Sequence, residues 1–255
     1  MIKMGSLFAG IGGFDRGAEM AFDEAGIAHQ ILWQVEQNKY CQKVLKKHWP
    51  NAKIYDDVRD IKKDNVEPVD VIMAGFPCQD VSITGLQRGI YEGKKSSLWW
   101  EVWRIARDLR PRVLVLENVA NIISLGGADV VGSLAEIGYG AEWAIVSARE
   151  RGACHLRERW FCIAYPESGT PSDRNALAKA KEDREAWYST AKLREQPAKD
   201  IRSTFWERHP HPSAFCRVDD GISYRVDRLR ALGNAIVPQC SQYVFERIIK
   251  SGLLS

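Results

Sequence analysis

Short apolar runs and longer amphipathic stretches alternate along the chain. Val69 to Ala74 and Val113 to Leu116 are too short and too rich in β-branched residues for stable helices, so both read as buried strands. Lys3 to Phe8, Ile27 to Val35, Lys53 to Tyr55, Gly140 to Ser147 and Trp160 to Tyr165 read as further strands. Helical spacing predicts helices over Asp15 to Glu24, Ser97 to Leu109, Ala128 to Ile137, Tyr224 to Leu232 and Pro238 to Ile249. Another runs from Asn38, as its cap, to His48, with Tyr40, Val44, Leu45 and His48 on one side. Leu98, Val102, Ile105, Ala106 and Leu109 form the buried side of the Ser97 helix, which Pro111 stops; its tryptophans read as core. Pro238 suits a first helical turn, and Gly252 follows the last one. From Pro166 to about Gly221 the pattern lapses into polar sequence with isolated aromatics, as in a small inserted module.

With 255 residues the chain can bury a full core, as one domain or as one large and one small. A net charge of +3 permits nucleic-acid binding without demanding it. The six cysteines are scattered without a CxxC pair, which argues against a disulfide framework and for a reducing, intracellular setting. His209, His211 and Cys216 match no standard metal spacing, so no metal is expected. Neither a membrane span nor a signal-peptide pattern is visible, and the expected location is the cytoplasm.

The first apolar run empties into Gly75-Phe76-Pro77-Cys78-Gln79, setting a thiol at a strand's carboxyl end, where open α/β sheets keep their ligands. The second ends at Glu117-Asn118, read as the start of a polar turn, which brings a carboxyl group to the same edge. Ala9-Gly10-Ile11-Gly12-Gly13-Phe14 makes a glycine-rich turn between strand and helix, with spacing that disfavours a nicotinamide dinucleotide. Glu36, ending the second strand, is placed to accept from ribose hydroxyls, and one acid of Asp56-Asp57-Val58-Arg59-Asp60 could meet an adenine amino group. Glycines at 85, 89 and 93 with Arg88, Lys94 and Lys95 interleaved fit a lid closing over a polyanion. Alternation points Arg157 and Arg159 the same way, toward an oxygen-rich ligand. Taken singly, each has an ordinary reading: a cysteine packed as a small hydrophobe, a plain tight turn, a flexible loop, solvated charge.

Taken together, SLFAGIGGF, Glu36, FPCQ with Ser82 close behind, ENV, the arginines at 157 and 159, and GNAIVPQ resemble the DNA cytosine-5 methyltransferases, in that family's order and over nearly the whole chain. The resemblance implies an α/β, Rossmann-like methyltransferase fold: a mixed seven-stranded sheet with helices on both faces, plus a small target-recognition domain. Residues 1–165 and 222–255 would form the catalytic domain and 166–221 the recognition domain. S-adenosylmethionine would be the cofactor, with Phe8, Gly10, Ile11 and Gly13 lining its pocket, Glu36 on the ribose, Asp57 and Val58 on the adenine, and Pro77, Leu98, Asn234 and Ala235 completing it. Cys78 would be the nucleophile, Glu117 would hold N3 of cytosine, Arg159 its O2, and Arg157 would brace the site. Gln79, Ser82, Arg88, Lys94 and Lys95 would meet DNA, the target base being extruded from the duplex. Double-stranded DNA is the implied partner of a monomeric enzyme of bacterial or bacteriophage origin, with a cognate restriction endonuclease as a candidate companion. His155 stands where the family usually has Gln. Relatives of this fold that act on tRNA tend to read PPCQ, so FPCQ favours DNA.

Overall fold

The computed structural model describes residues 1–77, 98–153, 155–167 and 231–255. In chain order its elements are β1 (Ile2–Leu7), α1 (Gly13–Glu24), β2 (His29–Val35), α2 (Lys39–His48), β3 (Lys53–Tyr55), β4 (Val71–Gly75) and α3 (Leu98–Leu109). There follow β5 (Val113–Val119), α4 (Ile122–Leu125), α5 (Gly127–Glu136), β6 (Tyr139–Ser147), β7 (Glu158–Pro166) and α6 (Pro238–Ser251). The strands form one sheet in the order β3-β2-β1-β4-β5-β7-β6, in which β7 alone runs against the others.

Period-two alternation gives the sheet two apolar faces. Val71 and Met73 of β4, with Val113 and Val115 of β5, pack under Phe14, Ala18 and Phe22 of α1 and Val244, Phe245 and Ile248 of α6. Their neighbours Ile72, Ala74, Leu114 and Leu116 face Trp99, Val102 and Ile105 of α3 and Val130 and Leu134 of α5. Trp99 is fully buried, in keeping with the core reading of that helix. Gly13 and Gly17 let the C-terminal segment lie directly on α1, since a methyl group at either would fall on the carbonyl of Ile236 or of Pro238. Ser241 Oγ seals this seam by donating to the Phe14 carbonyl at 2.8 Å.

Two local expectations change. Glu117 and Asn118 belong to β5 itself, because antiparallel β7 continues the ladder by pairing Glu117 with Phe161, Asn118 with Trp160 and Val119 with Arg159. On α2 the buried face is Cys41 and Leu45, while His48 is exposed. Asn38 does cap that helix, its side chain accepting from the amides of Tyr40 and Cys41. The proposed module at 166–221 lies almost wholly outside the described residues, and of the helix expected at 224–232 only residues 231 and 232 are described, within a helical stretch that runs to 234.

Candidate active site

At the end of β1 the backbone turns through left-handed conformations at Phe8 (φ 57°) and Gly10 (φ 58°). A side chain other than glycine tolerates that region poorly, so Phe8 holds strain next to the cavity described below. Glu36 pins the turn: its Oε2 accepts from Gly10 N at 2.8 Å and its Oε1 from Asn38 N at 2.7 Å. Each carboxylate oxygen keeps a lone pair for a further donor. The glycines of the turn serve different ends. Nothing lies within 4 Å of where a side chain at Gly10 would begin, whereas one at Gly12 would enter the indole of Trp49 and one at Gly13 the Ile236 carbonyl. Only Gly10 offers bare backbone to open space.

Along the same carboxyl edge, β4 and β5 run parallel with Gly75 beside Glu117. Glu117 is 8% exposed, and its Oε1 lies 3.0 Å from Arg159 Nε. Burial pushes the carboxyl up to about 7, with the charges of Arg159 and Arg157 limiting the rise. This group is thus divided between acid and carboxylate near neutrality, the condition in which a carboxyl both gives and takes protons. Asn118, which no motif argument singled out beyond its place in ENV, donates from Nδ2 to the Phe76 carbonyl at 2.9 Å and fixes the chain entering Pro77. Arg157 donates from both terminal nitrogens to the carbonyls of Gly233 and Ala235.

These groups share a cavity of about 540 Å³ at the carboxyl ends of β1, β2, β4 and β5. Phe8, Gly10, Glu36, Val58, Pro77 and Leu98 line it, as do Asn234 and Ala235; so do Glu117, Arg157 and Arg159. Its size lies within the range for a drug-sized ligand. Ile11 and Gly13 border a neighbouring cavity of about 710 Å³, together with Trp49 and His155. Asp57 borders neither: its Oδ1 accepts from Arg59 N and its Oδ2 meets the Arg59 guanidinium, capping a turn of 3-10 helix at Val58–Asp60. Cys78, Gln79, Ser82, Arg88, Lys94 and Lys95 lie outside the described residues.

Beneath the turn sits a polar cluster that the sequence reading passed over. Asp15 is fully buried and accepts from Ser6 Oγ at 3.1 Å and Gln34 Nε2 at 2.8 Å. Burial lifts its carboxyl to about 6. The available signal was the appearance of polar Ser6 and Gln34 within the apolar carboxyl halves of β1 and β2.

Residues 2–216 match the family model for C-5 cytosine-specific DNA methylase. The chain is 32% identical over 242 residues to the Type II methyltransferase M.CviJI of Paramecium bursaria Chlorella virus IL3A, covering 94% of this chain and 57% of that protein. It is 30% identical over 163 residues to M.HhaI of Haemophilus parahaemolyticus, covering 62% and 47%. The chain spans about half the length of the curated relatives it matches. Among solved structures, a crystal structure of Spodoptera frugiperda DNMT2 matches over the full length of both chains, with a TM-score of 0.59 at 16% identity, a likeness of fold.

Proposed function

The chain belongs to the C-5 cytosine-specific DNA methylase family, and on that premise we propose that it methylates C5 of a cytosine extruded from double-stranded DNA at a short specific sequence, through a covalent bond from Cys78 to C6. The observation that carries this reading is the single cavity in which the Glu117–Arg159 pair and the Glu36–Gly10 turn face common space. A Type II methyltransferase activity for the relatives, as their names print it, supports the same reaction class.

S-adenosylmethionine would be held by the residues of that cavity around Glu36 and Gly10. Glu36 retains acceptor capacity for ribose hydroxyls, Gly10 leaves its backbone bare, and Val58, Pro77, Leu98, Asn234 and Ala235 supply the surrounding wall. When bound, it supplies an electrophilic methyl group. The protein's own residues make the base able to accept it. The Cys78 thiolate adds to C6 and breaks the ring's aromaticity, while Glu117 in its protonated form gives its proton to N3 and Arg159 takes the developing charge at O2. The resulting enamine makes C5 nucleophilic. After transfer N3 returns its proton to Glu117, a base removes the C5 proton, and the electron pair of that C–H bond re-forms the C5–C6 double bond as Cys78 departs as thiolate. Gln79, Ser82, Arg88, Lys94 and Lys95 hold the opened duplex, and residues 166–221 read the target sequence.

Bisulfite sequencing of plasmid from a methylation-free host expressing this chain tests the proposal. Methylcytosine confined to one short motif, and absent with Cys78→Ala, is expected. An unmarked plasmid from a chain that binds S-adenosylmethionine would move the substrate to RNA.

A further inference from the structure

Arg157 borders the cavity beside Glu117, but both of its terminal nitrogens are engaged by backbone carbonyls. Its Nη1 donates to the Gly233 carbonyl and its Nη2 to the Ala235 carbonyl, both at 2.9 Å, so its fork straddles Asn234. Its Nε is buried with no acceptor among the described residues. Two positions on, Arg159 makes the ion pair with Glu117. Two positions apart at the entry of β7, these guanidiniums therefore have separate partners, one the carboxyl group of Glu117 and one the wall formed by 233–235.

Among the described residues that wall has few other ties. A backbone bond from Ala235 N to the Leu232 carbonyl spans 3.3 Å, nothing lies within 4 Å of where a Gly233 side chain would begin, and the next firm contact is the Ile236 carbonyl against Gly13. Placing a charged guanidinium there is costly: burial and the nearby Arg159 both disfavour its charge. Two charge-assisted bonds to neutral carbonyls offset that cost and fix direction as well as distance.

We propose that Arg157 is a positioning residue for the cofactor half of the cavity, a latch that joins the entry of β7 to residues 233–235 and sets Asn234 and Ala235 against the bound cofactor. The proposal rests on the functional reading above. It assigns to Arg157 no contact with the target base. It also explains why lysine would not serve, because an ammonium is a point donor on a flexible stem and cannot hold two diverging carbonyls in fixed geometry.

The test measures S-adenosylmethionine binding to the purified full chain by calorimetry without DNA, then initial rates with each substrate varied. Arg157→Lys should weaken cofactor binding and raise its KM by about tenfold, leaving the KM for DNA unchanged. Arg159→Lys should do the reverse, sparing cofactor binding while kcat falls. Methylguanidinium should restore affinity to Arg157→Ala. Unchanged cofactor affinity in Arg157→Lys would overturn the latch, as would loss of the cooperative melt in both Arg157 variants, since a latch confined to 233–235 leaves the sheet intact. A wild-type chain that binds no S-adenosylmethionine would overturn the functional reading instead.

Discussion

Asp15 and Glu117 are both carboxyl groups buried against the same sheet, both pushed upward by desolvation, yet their surroundings differ in kind. Asp15 is met by the neutral donors Ser6 and Gln34 and borders neither cavity; Glu117 is met by arginine and opens onto the cavity of about 540 Å³. Burial alone therefore does not mark a reactive acid. Access to a ligand-sized space and a compensating cation do, because they let the group change protonation without leaving a naked charge in the core.

The sharpest way to break this contrast is to remove each acid's proton. Glu117→Gln should cut the methylation rate by about 10²- to 10⁴-fold with the fold retained, while Asp15→Asn should keep activity within about threefold; equal losses in a tritium-transfer assay would erase the distinction. A smaller effect separates them by pH. As pH rises through about 7, Glu117 loses the proton that the proposed mechanism passes to N3, so kcat should acquire a falling limb of about tenfold per pH unit that is missing from Glu117→Gln.

Asp15 should instead speak through stability. Its folded pKa is raised, so between 3.8 and about 6 the native state holds the proton that the unfolded chain releases, and stability falls as pH climbs through that window. The loss should be on the order of 3 kcal/mol, read from urea midpoints, and Asp15→Asn should flatten it. Smallest of all, Ser6→Ala should cost about 1 kcal/mol and leave the rate untouched.

How legible these features were in the sequence follows from their range along the chain. Strand β3 at Lys53–Tyr55 and the Pro238 start of α6 answer to local pattern and were read at the right residues. Glu117 could be assigned to the carboxyl edge because it follows an apolar strand that the pattern reveals, whereas the pairing of Arg159 with it was not legible from any local pattern. The length of β5 could not, since its last three residues are held by β7 some 40 positions later. Gly13 likewise looked like bare backbone for a ligand, but its missing side chain makes room for Ile236, a contact across more than 200 residues. The Asp15 cluster joins three elements, and no periodicity within any one of them foretells it.

The seam between α1 and α6 bears on how the protein is made. Phe14 and Ser241, which it joins, are 227 positions apart. At roughly 5–20 residues per second of translation, α1 waits on the order of ten to forty seconds for its partner. Through that interval Phe14, Ala18 and Phe22 lack the part of their cover that Val244, Phe245 and Ile248 supply. Ribosome-arrested chains ending before residue 233 lack the wall at 233–235 and the seam at Ser241, and should accordingly capture no S-adenosylmethionine in a binding assay.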